Sequence, residues 1–279
     1  MAARGEKKRT KKAKILDFFI YLLAFIWMVP MIFMVAATLK EQNSVIYDVR
    51  DWFTPPFTLE NYGEVFERAP IMQWMANSFI VAILTTAGVV VLSLLAAFGL
   101  TVKKSPIGGV VYFLLLAGIM IPAEAMLVPL FTLCMDLGLL NNLPSLILPF
   151  LAAPLSVILL MNAIESLPEE LFEAARMDGC GSMRLLAVIT VPLIQSTIAT
   201  VAILTFLGSW NSFMWPFLSV TSEESMTVTV GLPYFKSSGM GDGFQLPMTA
   251  SFLSVIPTII FFFLFQKFIM EGIGNTGNK

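Results

Sequence analysis

The chain contains no histidine. That excludes a zinc site of the HExxH type, a Ser-His-Asp triad and a Cys-His dyad together. Cysteine is nearly as scarce. Only Cys134 and Cys180 occur, and neither has a neighbour at metal-ligand spacing. Charge is thin too: 13% of residues are charged, against about 25% in an ordinary soluble domain. A G-x-x-x-x-G-K-[ST] phosphate loop is missing, so ATP hydrolysis by that device is not expected of this chain. No aspartate falls mid-span, which opposes an intramembrane aspartyl protease.

Apolar residues take the place of charge, at 57% of 279 positions. The length would suit one or two soluble domains, but the composition indicates a polytopic membrane protein. The expected fold class is therefore all-α, with six transmembrane helices. The basic start, MAARGEKKRTKKAK, turns apolar as a signal peptide does. Phe18 to Leu39, however, is 22 residues without a charge, about 33 Å as a helix and enough to span. A signal h-region is about 7–15 residues, so an uncleaved first span is expected.

Charges delimit the remaining spans. The expected spans are about 16–39, 77–101, 110–133, 143–164, 192–215 and 248–268. A basic tail covers 1–14, a six-helix domain 15–270 with a charged insert at 165–191, and a short tail 271–279. Lys and Arg are divided unevenly between alternate segments. The N-terminal tail, the Lys103–Lys104 loop, the Arg176–Arg184 segment and the C-terminal end (Lys267, Lys279) hold thirteen. Lys40, Arg50, Arg68 and Lys236 are the four on the other side. The positive-inside rule then puts both termini and the 165–191 segment in the cytoplasm of a multi-pass inner-membrane protein. The outer loops from Lys40 to about Trp74 and from Phe217 to Pro247 are long. Loops of that size are more often functional or disordered than idle. Cys134 falls near the outer face and Cys180 near the inner, which opposes a disulfide.

The cytoplasmic segment stands apart. Five acids and two arginines fall between Glu165 and Arg184. Ser166-Leu-Pro-Glu169 suits a helix start, with Ser166 as the cap, Pro168 in the first turn and Glu169 at capping-box spacing. Gly179 and Gly181 are expected to end the helix. Ser182 can start another, which Pro192 interrupts or joins to the fifth span. Leu171, Ala174, Ala175 and Asp178 share a face by spacing, and two alanines there allow close approach. A lipid-surface helix would be rich in Lys and Arg. The acidic balance favours docking into a protein groove instead.

Here the residues resemble a known family. Glu173-Ala174-Ala175, then Gly179, then Ile189-Thr190-Val191-Pro192 is similar to the EAA motif of ABC-importer permeases, with Val191 where Leu is usual. Met120-Ile-Pro122-Ala-Glu124, Val128-Pro129-Leu130 and Leu137-Gly138-Leu139 resemble the third span of its carbohydrate-uptake subgroup. Trp210-Asn211-Ser-Phe-Met-Trp215-Pro216 resembles the subgroup's W-N-x-F-x-W-P signature. Ile256-Pro257 through Gln266-Lys267 to Glu271-Gly272 fits its end. The closest type is the smaller, six-span permease of maltose-like importers. The tail Gly274-Asn-Thr-Gly-Asn-Lys279 departs from the family's G-A-V-K-G.

The resemblance implies a coupling helix at Glu173, Ala174, Ala175, Asp178 and Gly179 that inserts into a cytoplasmic ATPase dimer. It also implies a second permease and an extracytoplasmic solute-binding protein. No cofactor is expected in this chain, while ATP and magnesium are expected on the partner ATPase. The chain itself is expected to be a transport subunit, not an enzyme. Its solute would be a sugar or oligosaccharide, with glycerol phosphate or a self-sufficient secondary transporter as alternatives. The last is opposed by the single acid inside a span, because ion coupling usually needs several.

That acid is Glu124. A carboxylate at mid-bilayer costs about 2.5–3.5 kcal/mol on the insertion scale, so it should face the bundle interior, a cavity or a partner. Pro122 and Pro129 bracket it and should kink or break the helix. Two readings stand: it caps or pairs, or it lines the solute path. Trp210 and Asn211 join it as candidate path residues, mostly on the resemblance. Trp215 reads as an anchor or packing residue.

Overall fold

The computed structural model describes residues 11–42, 44, 47–103, 106–236 and 243–274. The expectations for the first ten residues, for Lys104, for 237–242 of the outer loop and for the tail from 275 lie outside the described residues. Among those described, the regular structure is helical, apart from one isolated bridge between Lys40 and Phe57. Three helices are long and apolar enough to cross a membrane alone, and three bent pairs bring the total to six if each pair is one span.

The chain divides into two units. The first holds α1 (Lys11–Thr38), α2 (Glu60–Arg68) and the first residues of the last helix. α1 is apolar on every side and its most hydropathic stretch buries nothing within the protein, as a lipid-facing span requires. The loop after it is ordered by polar contacts. Buried Asn61 on α2 donates to the carbonyls of Thr38 at 2.9 Å and Lys40 at 2.6 Å. Lys40 Nζ donates to the Thr54 carbonyl and lies 5.2 Å from the centre of the Phe57 ring. A 3-10 turn at Val49–Phe53 turns Trp52 and Phe53 onto Phe33 of α1.

The second unit is built around α3 (Ile71–Thr101), which packs against both α7 (Pro154–Glu165) and α11 (Gln195–Trp210). Ala82 and Ala97 are fully buried on α3. Such small side chains let helices approach closely where no hydrophobic force drives them together. α3 starts six residues before the expected 77, straight after Pro70. The polar groups of this first turn are satisfied by carbonyls distant in sequence. Asn77 Nδ2 reaches the carbonyls of Glu224 and Met226 at 2.8 Å each, and Trp74 Nε1 that of Glu223 at 3.0 Å.

The third, fourth and fifth spans are broken rather than straight. α4 (Gly108–Met120) and the following arm through α5 (Leu127–Asp136) meet at 98°. Pro122 pushes Ile121 into the extended region and withholds its own N–H, so the helix cannot continue. Pro129, by contrast, sits in the first turn of α5, where a missing N–H costs nothing. α6 (Leu143–Ile147) and a 3-10 turn lead to α7 across a 43° bend just before Pro154. The fifth span bends by 83° at Ile194, before α11. It restarts after Ser212 as the short α12 (Met214–Ser219). The last helix, Gln245–Gly274, contains Pro257 without being interrupted by it and exceeds the expected 248–268 at both ends.

Candidate functional site

The charged segment folds as α8 (Glu169–Met177), a glycine turn, and a short helix at Ser182–Arg184 that becomes a π-turn at Leu185–Thr190. Ser166 does not cap α8. Its Oγ donates back to the Ala163 carbonyl at 2.7 Å, and Pro168 occupies the cap position without a side-chain bond. The reason is local: α7 runs to Glu165, so Ser166 is spent ending α7. Glu169 and Glu170 fill the first turn, where the helix dipole favours acids.

The helix ends in a Schellman turn. Cys180 N–H donates to the Ala175 carbonyl at 2.9 Å and Gly179 N–H to that of Arg176 at 3.0 Å. Gly179 has φ 76°, where only glycine is comfortable. Asp178 is the C-cap rather than a member of the helix face, and Gly181 serves as the next N-cap with ordinary extended backbone. The two alanines separate: Ala175 is buried beside Phe172, whereas Ala174 is exposed with Leu171 and Glu173. The inner side of α8 belongs to one apolar core with Phe98 of α3, Leu160 and Ile164 of α7, and Leu185 and Leu186 of the π-turn. Arg176 Nη2 donates to the Val102 carbonyl at 2.9 Å, a cation on the C-terminal end of α3. So α8 is fixed to the ends of two membrane helices while its outer face stays exposed. Met177 and Met183, 88% and 70% exposed, flank that face. Cys180 and Cys134 are free thiols.

Glu124 lies in a 3-10 turn just after the Pro122 break, with its side chain exposed. It lines a groove of about 450 Å³ together with Phe150, Ser212 and Trp215. Glu124 and Phe150 come from the breaks at Pro122 and before Pro154, and Ser212 and Trp215 from the interruption between α11 and α12. Trp210 is not in it. That side chain is 2% exposed, 4.7 Å centre to centre from Phe79 and stacked beside Phe206, with Nε1 on the Ser254 carbonyl at 3.4 Å. Asn211 is exposed, and its side-chain N–H caps α11 on the Leu207 carbonyl at 2.8 Å. Trp215 is buried as packing, yet it also walls the groove, and its Nε1 donates to the Ser145 carbonyl at 2.9 Å.

Sequence reasoning missed one clamp. Asn141, at φ 61°, accepts from Thr221 N–H at 2.6 Å, the Thr221 hydroxyl at 2.8 Å and Ser222 N–H at 3.3 Å. Its own N–H donates to the Ser219 carbonyl at 2.9 Å. The Asn pair after Gly138 signals a turn, but nothing local names its distant partners.

The profile of the family described as "Binding-protein-dependent transport system inner membrane component" matches residues 88–274. The arabinooligosaccharides transport system permease protein AraQ of Bacillus subtilis (strain 168) is 29% identical over 95% of each chain. The sn-glycerol-3-phosphate transport system permease protein UgpE of Yersinia enterocolitica is 29% identical over 92% of this chain and 96% of its own. The lactose transport system permease protein LacG of Rhizobium radiobacter is 29% identical over 90% and 91%. A chain in the crystal structure of a bacterial ABC transporter involved in alginate import superposes with a TM-score of 0.81 at 21% identity, over 93% of this chain and 98% of that one. This last likeness is of fold.

Proposed function

The chain belongs to the family of binding-protein-dependent transport system inner membrane components, and from that premise we propose that it is the permease half of an ATP-driven sugar or oligosaccharide importer. Both termini and α8 lie in the cytoplasm, as the Lys and Arg distribution favours. A cytoplasmic ATPase dimer, with ATP and magnesium bound on it, receives the outer face of α8. Glu173, Ala174 and Gly179 form that contact, with Asp178 at its end. A second permease completes the path, and an extracytoplasmic solute-binding protein delivers the solute. A related transporter has been crystallised with a pentasaccharide-bound periplasmic protein.

One observation carries the coupling role. The buried side of α8 is continuous with the core of α3 and α7, while Glu170, Glu173 and Ala174 on its other side are exposed. A displacement of α8 therefore moves the spans rather than sliding beneath them, because packed cores transmit strain. The Glu124 groove is then this subunit's share of the solute path; Asn211 does not line it, though its neighbour Ser212 does. Relatives that carry arabinooligosaccharides and lactose favour a saccharide. The glycerol-phosphate permease keeps a phosphorylated polyol as the second reading. Purification of the tagged chain in mild detergent should bring down an ATPase and a second permease, and the assembly in vesicles should take up a saccharide only with ATP inside. Active uptake by this chain alone would refute the proposal.

A further inference from the structure

Behind the wall formed by Phe150 and Trp215 lies a second cavity of about 220 Å³. It shares that wall and Ser212 with the Glu124 groove. Its other polar residues are Thr85, Thr205, Ser209 and Thr227, and no ionisable side chain lines it. Thr85 stands at the middle of α3, is 3% exposed, and its Oγ1 has no hydrogen-bond partner. Thr86 and Ser93 on the same helix also lack partners, but of the three only Thr85 lines the cavity. The hydroxyls of Thr101, Thr200 and Ser219 each donate to the carbonyl four residues back. Thr85 leaves that bond unmade, on a face that lines the cavity. An unmatched buried hydroxyl is costly and points to a polar guest.

The space would hold roughly seven waters by volume, more than one hydroxyl needs. It is smaller than the roughly 300–1,000 Å³ of drug-sized pockets, which suits one ring rather than an oligosaccharide. Trp215 is held in orientation by Ser145, and Phe150 meets it edge-on at 6.2 Å. An aromatic wall faced by hydroxyls, without charge, matches a ring that is apolar on its faces and hydroxylated at its rim. An anion would lose its hydration there with no cation to replace it, and the adjoining groove carries the Glu124 carboxylate. We propose that this cavity is a binding subsite for one uncharged sugar or polyol unit, held by this permease itself. The proposal rests on the importer reading above and excludes its phosphorylated-polyol variant.

Gly208 gives a clean test. It lines the cavity, and a Cβ added there meets no atom within 4 Å. Gly208→Leu therefore fills the space without opposing the helix. The assembled complex in vesicles, supplied with its binding protein, is offered labelled arabinotriose, lactose and glycerol 3-phosphate. Uptake of a neutral sugar is expected. Gly208→Leu should cut it by about tenfold or more, and Thr85→Val by a few-fold with recovery in Thr85→Ser, the scale of one lost buried hydrogen bond. In parallel, Ser209→Cys is labelled with a small methanethiosulfonate, against the unsubstituted chain as reference for Cys134 and Cys180. The imported sugar should slow labelling, and glycerol 3-phosphate should not. Unchanged uptake in Gly208→Leu, or no protection by the imported sugar, would mean that the cavity holds only water and would overturn the subsite. Uptake of glycerol 3-phosphate alone would overturn it and leave the importer reading standing. Uptake of none of the three would sink both.

Discussion

The two ends of the second unit are held together by different forces. Around α8 the contacts are apolar: Phe172, Ala175, Leu160, Ile164 and Leu186 share one core, and the bond from Arg176 of α8 to the Val102 carbonyl at the end of α3 is a polar tie. Around the breaks in the spans the contacts are directional: Asn77, Trp74, Asn141 and Trp215 each bond a carbonyl or amide distant in sequence. Dense apolar packing tolerates little rearrangement. Side-chain to backbone bonds can be exchanged for others, or for water, at modest net cost. The first construction suits a part that transmits force, and the second a part that must open and close around a solute.

The largest effect should come from opening the apolar end. Phe172 is 6% exposed and joins α8 to the core. Phe172→Ala should cost about 3–5 kcal/mol, as other Phe truncations in cores do. Thermal unfolding of the purified complex measures this. On the proposed coupling role, ATP hydrolysis by the complex should persist while uptake falls, because the exposed face of α8 is unchanged. Equal loss of both would show that Phe172 serves only folding.

A somewhat smaller effect is expected where a glycine meets an indole. A Cβ on Gly231 would lie 2.1 Å from the Trp74 ring, which is fully buried and bonded to Glu223. Gly231→Ala should destabilise by about 1–3 kcal/mol through overpacking. The smaller partner Trp74→Phe should partly relieve it in a double-mutant cycle. Additive losses would mean that the two sites do not share this contact.

Asn141 comes next. Asn141→Gly keeps the φ 61° backbone and deletes three accepted bonds, whereas Asn141→Ala loses the bonds and is strained besides. Alanine should therefore be worse than glycine by about 1 kcal/mol, the usual penalty for a left-handed residue. If the two variants unfold alike, backbone strain contributes nothing there.

The same contrast decides what could be seen in the sequence. The apolar end was largely legible. A charged helix closed by Gly179 is written in local chemistry, and so is the break at Pro122. The size of that break was not, because 98° depends on what α5 packs against. Ser166 misled because two helix ends compete for it, and local capping rules see one helix at a time. The bend region was poorly legible. Trp210 and Trp215 sit five residues apart in one signature, yet only Trp215 reaches the groove. Their roles are set by Phe79 and Ser145, more than sixty residues away in the chain. Thr85 gave no signal, since a threonine in an apolar helix ordinarily bonds its own backbone.

The smallest effect concerns the loop after α1 in the first unit, where a carboxylate adds to the aromatic contacts that order the chain. Asp51 accepts from the amides of Tyr47 and Asp48 at 2.9 Å each. Those two bonds hold its carboxyl below the ordinary carboxylate range, with Lys40 adding a little and burial opposing. A group whose pKa is lowered on folding contributes order above its unfolded pKa and loses it as pH falls through the folded one. Protection of the Tyr47 and Asp48 amides from hydrogen exchange should thus stay level from neutral pH down to about 4, near the unperturbed value, and decline below it. Asp51→Asn keeps an acceptor but removes the titration, so its protection should be lower at neutral pH and insensitive to acid. Asp51 is only partly buried and bonds within its own turn, so the effect belongs to the 3-10 turn and not to global stability. An equal acid dependence in Asp51→Asn would assign the loop's order to the aromatic contacts of Trp52 and Phe53 instead, and the first unit would then resemble the apolar end of the second.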